Sequence, residues 1–206
     1  MTSTARPRPT RSSKTAAQQL ATARGIEGIE VFDLPDGFRQ ILDLVEAAED
    51  EERRDPGPGP ALAGLLAASQ TLVERLPEVA DAHYVRGYAL FLLSRQGVAV
   101  SRESLSEMIA TIRLAHGHHW ARYHAVVLCH EKGAYEAVTE HFAAMDRDFF
   151  ATQGKDWRYL VAWQYAIDSR LRLGRIDRFE TELSHLVRAY LTYSDDPDEL
   201  LPGRGC

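Results

Sequence analysis

Apolar residues along this chain recur at helical spacing, three and four apart, and hardly ever alternate. From Asp36 onward, Phe38, Ile41, Leu42 and Val45 fall at i, i+3, i+4 and i+7, the stripe of an amphipathic helix. That stripe ends in EAAEDEERRD and then PGPGP, residues 56–60. Prolines lack the N–H and glycines the side chain that a helix needs, so this stretch reads as a linker. Leu62, Leu65, Leu66, Ser69, Leu72, Val73 and Leu76 make the next stripe, which Pro77 closes. Asp81 is placed to cap a helix carrying Tyr84, Tyr88, Phe91 and Leu92, with Gly97 near its end. Ser101 is placed to cap one carrying Leu105, Met108, Ile109 and Ile112. Strand signals, meaning alternating runs rich in Val, Ile and Thr, are missing, so the expected fold class is all-α.

The most informative stretch is Arg122 to Met145, RYHAVVLCHEKGAYEAVTEHFAAM. Ala125, Val126 and Leu128 recur on one helix, which Gly133 ends. Tyr135, Val138, Phe142 and Met145 then line a second, so the pair is a helical hairpin with a shared apolar seam. The theme returns after Asp156: Leu160, Trp163, Ile167 and Leu171, then Gly174, then Ile176, Phe179, Leu183, Leu186, Val187 and Tyr190. Gly133 and Gly174 are 41 residues apart, and the segment around Gly87 repeats the theme more loosely. Helix pairs stacked in this way bury faces that none could bury alone, which is the logic of a solenoid.

Over residues 80–192 this pattern resembles the tetratricopeptide (TPR) motif, most closely at Tyr123–Met145. Two departures are plain. The spacing exceeds the family's repeat of about 34 residues. The large Trp expected early in a leading helix is met by Trp163 in the third pair, whereas Arg122 stands there in the second. The alternative architecture is an irregular helical bundle. The resemblance implies a concave groove lined by the leading helices. Carried over by register, its positions are Tyr84, Tyr88 and Phe91, then Tyr123, Val127, His130 and Glu131, then Gln164, Asp168 and Arg172. Such a mixture suits a peptide or a helix from a protein partner, or a second copy of the chain. The family's carboxylate clamp of Lys and Asn is not expected, because the chain has no Asn and three Lys against 21 Arg. That usage, rich also in Ala and Gly, suggests a GC-rich and hence bacterial source.

Charge divides the chain. Residues 1–24 carry +5, residues 27–55 carry −8 and residues 56–206 carry −3. The expected organisation is a disordered basic tail over 1–24, then an N-terminal helix and acidic Pro-Gly linker over 25–60. A helical repeat-like domain follows over 61–194, with a flexible tail over 195–206. A basic tail can touch nucleic acid or an acidic partner, and its Arg/Ser-rich start also has the composition of a targeting peptide. The mildly acidic remainder disfavours a broad phosphate-binding surface. No apolar run approaches the ~18 residues that span a bilayer, so no membrane association and a cytoplasmic location are expected.

Chemical signatures are weaker. Six of the eight histidines lie between His116 and His141, which supports the alternative of an accessory or catalytic helical protein. Their spacing does not set three ligands on one helix face, so neither metal nor other cofactor is expected. Glu182 and His185 have the Glu-x-x-His spacing of di-iron bundles but lack a second such pair. Arg170, Arg172, Arg175 and Arg178 flank Gly174 and form either an anion-contacting patch or a solvated helix end. Cys129, inside VVLC, reads as a small core residue. The leading expectation is a non-enzymatic interaction module.

Overall fold

The computed structural model describes residues 39–54 and 57–193. The basic tail, the 195–206 tail and Cys206 lie outside them. Within the described residues the chain is all-α, with nine helices and no strand. These are α1 Arg39–Arg54, α2 Pro60–Arg75, α3 Ala80–Arg95, α4 Ser101–Leu114 and α5 His119–Glu131. They continue as α6 Tyr135–Ala143, the short α7 Arg147–Thr152, α8 Asp156–Arg172 and α9 Phe179–Tyr193. None is long and apolar enough to cross a membrane.

The helices pack as successive antiparallel pairs. Each trailing helix touches its own leading helix and the leading helix of the next pair: α2 lies against α1 and α3, α4 against α3 and α5, and α6 against α5 and α8. Leading helices also meet each other, α1 with α3 and α5 with α8. This order is compatible with a helical repeat and begins one pair earlier than residue 80. Residues 57–59 turn the chain into α2, which packs on α1, and Ile41, Val45 and Ala48 of α1 belong to the main core. Glu51 secures the turn. Its carboxylate accepts from the Ala61 N–H at 3.0 Å and from the Leu62 N–H at 3.2 Å, capping α2 from the preceding helix. Glu51→Ala is therefore expected to lower the urea midpoint by an amount equivalent to about 1 kcal/mol. An unchanged midpoint would show that the cap carries no stability.

Leading helices α3, α5 and α8 close with the same device. Gly133 adopts φ 72° and Gly174 φ 71°, the left-handed region that suits glycine. In each case the glycine N–H reaches the carbonyl three residues back, and the next N–H reaches five back: Ala134 to Cys129 and Arg175 to Arg170, both at 2.9 Å. Gly97 repeats this pattern at the end of α3. Gly154 does the same at the end of the short α7, so the markers of these leading helices are Gly97, Gly133 and Gly174, spaced 36 and 41 residues. Gly87 has a different task. A Cβ there would come within 3.1 Å of Glu107 Cβ and Met108 Cε, so its lack of a side chain lets α3 and α4 approach. The Ser104 hydroxyl donates to the Gly87 carbonyl at 2.8 Å across the contact.

Candidate functional site

Counted back from Gly97, Gly133 and Gly174, equivalent positions of α3, α5 and α8 fall into register. Nine residues before them stand Tyr88, His124 and Tyr165, all ring-bearing; six before stand Phe91, Val127 and Asp168. Ten before stand Gly87, Tyr123 and Gln164, and two before stand Arg95, Glu131 and Arg172. The expected groove residues do not share one surface. Tyr84, Tyr88, Tyr123 and Val127 are buried, and Phe91 and His130 are half-buried. Glu131, Gln164 and Arg172 are exposed, with Asp168 partly so.

The buried members form an aromatic interior around His124. Its ring lies 4.8 Å from Phe91, 5.1 Å from Tyr123, 5.3 Å from Tyr88 and 6.0 Å from Tyr84, centroid to centroid. Two of these rings are also tied by polar contacts. Tyr88 donates to Glu49 of α1 at 2.6 Å, and the Tyr123 hydroxyl accepts from Arg158 of α8 at 2.8 Å. The Arg158 guanidinium lies over both Trp157 and Tyr123, at 4.0 and 5.0 Å. These tyrosines hold leading helices together and are covered against a ligand.

What reaches solvent is a polar strip across α5 and α8. His130 Nε2 meets Asp168 Oδ2 at 2.8 Å, and Arg172 Nε lies 3.5 Å from the same oxygen. The His130 hydrogen bond outweighs burial and, with the weaker pull of the Arg172 charge, holds the Asp168 carboxyl below the usual carboxylate range. Tyr165 supports this cluster from beneath, 4.5 Å from the His130 ring, and burial pushes its phenol up. Sequence reasoning passed over Tyr165; its shared register with Tyr88 and His124 was the available signal. Glu131 and Gln164 flank the strip.

Two histidines of the histidine-rich loop accept from backbone N–H groups. His118, not a Ser or Asp, caps α5: its Nδ1 accepts from the Ala121 N–H at 3.1 Å. That bond leaves the proton on Nε2, which faces Asp81 Oδ1 at 3.4 Å. Asp81, expected from sequence to cap α3, does not: Val79 is the cap residue and Asp81 sits buried in the first turn. His119 Nδ1 accepts from the Asp146 N–H at 3.3 Å. Among the described residues no three His, Cys, Asp or Glu side chains converge as metal ligands. Cys129 is buried and its thiol is pushed up by burial, which makes it a poor nucleophile.

The arginine patch is mixed in charge. Arg170 is ion-paired with Glu182 of α9, and Arg172 with Asp168. Arg175 and Arg178 line a hollow of about 200 Å³ together with Asp177, Glu182 and Phe179. No protein-family model, curated protein or solved structure matches this chain.

Proposed function

We propose that this chain is a non-enzymatic interaction module of TPR-like stacked hairpins, which binds a peptide or helix of a protein partner. The observation that carries the reading is the exposed strip His130–Asp168–Arg172, with Glu131 and Gln164 beside it, on two directly packed leading helices. A half-buried aromatic floor under fixed donors and acceptors suits recognition of an extended backbone and its side chains. The two helices supply the rigidity, since α5 is closed by Gly133 and clamped to α8 through Arg158 and Tyr123. The partner is expected to carry both signs of charge, because the strip offers a guanidinium and a carboxylate close together.

Photo-crosslinking tests this directly. A crosslinking amino acid replacing Gln164 is expected to capture a defined partner, and one replacing exposed Arg113 on α4 is not. Glu131→Ala with Arg172→Ala should abolish capture while leaving the helical circular dichroism unchanged. Equal capture from positions 164 and 113 would sink the reading.

A further inference from the structure

We infer that the hollow between the end of α8 and the start of α9 binds a small organic monocarboxylate with a branched or aromatic body. Its floor is apolar, made by Ile167, which is 5% exposed, and the half-buried ring of Phe179. One wall is the ion pair between Arg170 of α8 and Glu182 of α9, which ties the two helices together. Arg175, Asp177 and Arg178 stand on the open side, all exposed. Among the described residues the side chains of these three have neither an ion-pair nor a hydrogen-bond partner. Two guanidinium groups thus keep their donors unused beside one depression.

The backbone sets both arginines in place. Gly174 ends α8, and the Arg175 N–H donates to the Arg170 carbonyl at 2.9 Å, which fixes Arg175 beside the last turn. The Arg178 carbonyl accepts from the Glu182 N–H at 2.9 Å, which fixes Arg178 at the first turn of α9. Four residues, 175–178, separate Gly174 from α9, whereas one separates Gly133 from α6. The longer turn makes room for the hollow. Charge and shape then select the ligand. Three guanidinium groups against two carboxylates leave a single positive charge, which one carboxylate neutralises. A phosphate dianion would exceed that charge and meet Asp177 and Glu182. The N–H groups of a guanidinium match the planar carboxylate in a paired contact. The apolar floor favours a hydrocarbon body over a bare anion, and a volume of about 200 Å³ admits one small molecule. None of these residues belongs to the strip of the proposed interaction, so the two readings stand or fall separately.

The test is a titration of the full chain with phenylacetate, followed through its amide NMR shifts. Saturable shifts are expected at Ile167, Arg178 and Phe179, with a Kd at or below about 1 mM, within reach of an efficient ligand of this size. Acetate, too short to cover the floor, and inorganic phosphate should each bind at least about 10-fold more weakly. Arg175→Gln with Arg178→Gln should weaken phenylacetate by about 10-fold or more. Both positions are exposed, so the circular dichroism should not change. Asp177→Asn removes an opposing carboxylate and should tighten phenylacetate while raising the affinity for phosphate. A chain silent to phenylacetate at about 10 mM, or binding that survives the double Gln variant, would overturn the inference. So would equal affinity for acetate, phosphate and phenylacetate, the mark of an ordinary counter-ion at exposed arginines.

Discussion

Trp120→Ala is expected to destabilise the fold by about 3–5 kcal/mol, the cost of emptying a large buried aromatic site. Trp120 is the largest side chain with no exposure at all. It packs edge-on against Phe150 at 5.2 Å, Tyr123 at 6.3 Å and Phe149 at 6.4 Å, and so joins α5 to α7. A domain of this size is stable by about 5–15 kcal/mol, so one substitution removes a large share. The denaturant midpoint should fall with the slope of the transition unchanged. Trp120→Phe separates packing from polarity. The indole N–H has no acceptor among the described residues, so phenylalanine keeps most of the ring while removing a buried donor. Its cost should stay below about 1.5 kcal/mol. A Trp120→Ala protein losing less than the Phe variant would contradict the packing assignment.

Acid is expected to destabilise the protein through His124. Its ring is enclosed by four aromatic side chains, and neither nitrogen has a hydrogen-bond partner among the described residues. Burial first, then the Arg158 guanidinium and the neighbouring His118, hold its pKa well below the ordinary 6.5. The folded state thus keeps this imidazole neutral, while the unfolded chain takes up a proton once the pH drops beneath that ordinary value. Stability from this group is complete above pH 6.5 and decreases on acidification, by about 1.4 kcal/mol per pH unit. Burial lowers His119 and His141 in the same direction, adding to the slope. His124→Phe, which suits the aromatic surroundings, should flatten the decline between pH 6.5 and 5 by about that amount per unit and raise stability at pH 5. Identical slopes in the two proteins would place the acid sensitivity elsewhere.

Much of the fold was legible because local rules set it. The stripes at Leu62–Leu76 and Tyr135–Met145 name helices whichever neighbours they meet. Gly133 and Gly174 end theirs because only a residue free of Cβ strain enters the left-handed region at no cost. Other readings failed where a distant group decided the outcome. Asp81 has the chemistry of a cap, but it turns inward to face a histidine 37 positions along. Tyr84 and Tyr88 carry groove-like chemistry, yet α1 and α5 cover them. Leu183 and Val187 read as part of the same seam as Leu186; in the folded chain only Leu186 meets α8.

By itself the sequence determined the all-α class, the glycine ends of α3, α5 and α8 and the pairing of α5 with α6 into a hairpin. Each of these follows from periodicity and backbone conformation within some twenty residues. Only the tertiary structure decided which aromatic side chains became interior and which polar groups assembled into a strip. His130 and Asp168, 38 residues apart, meet because α5 and α8 lie side by side. Periodicity tells that a helix has an apolar face; it carries no information about which element covers that face, or whether any does.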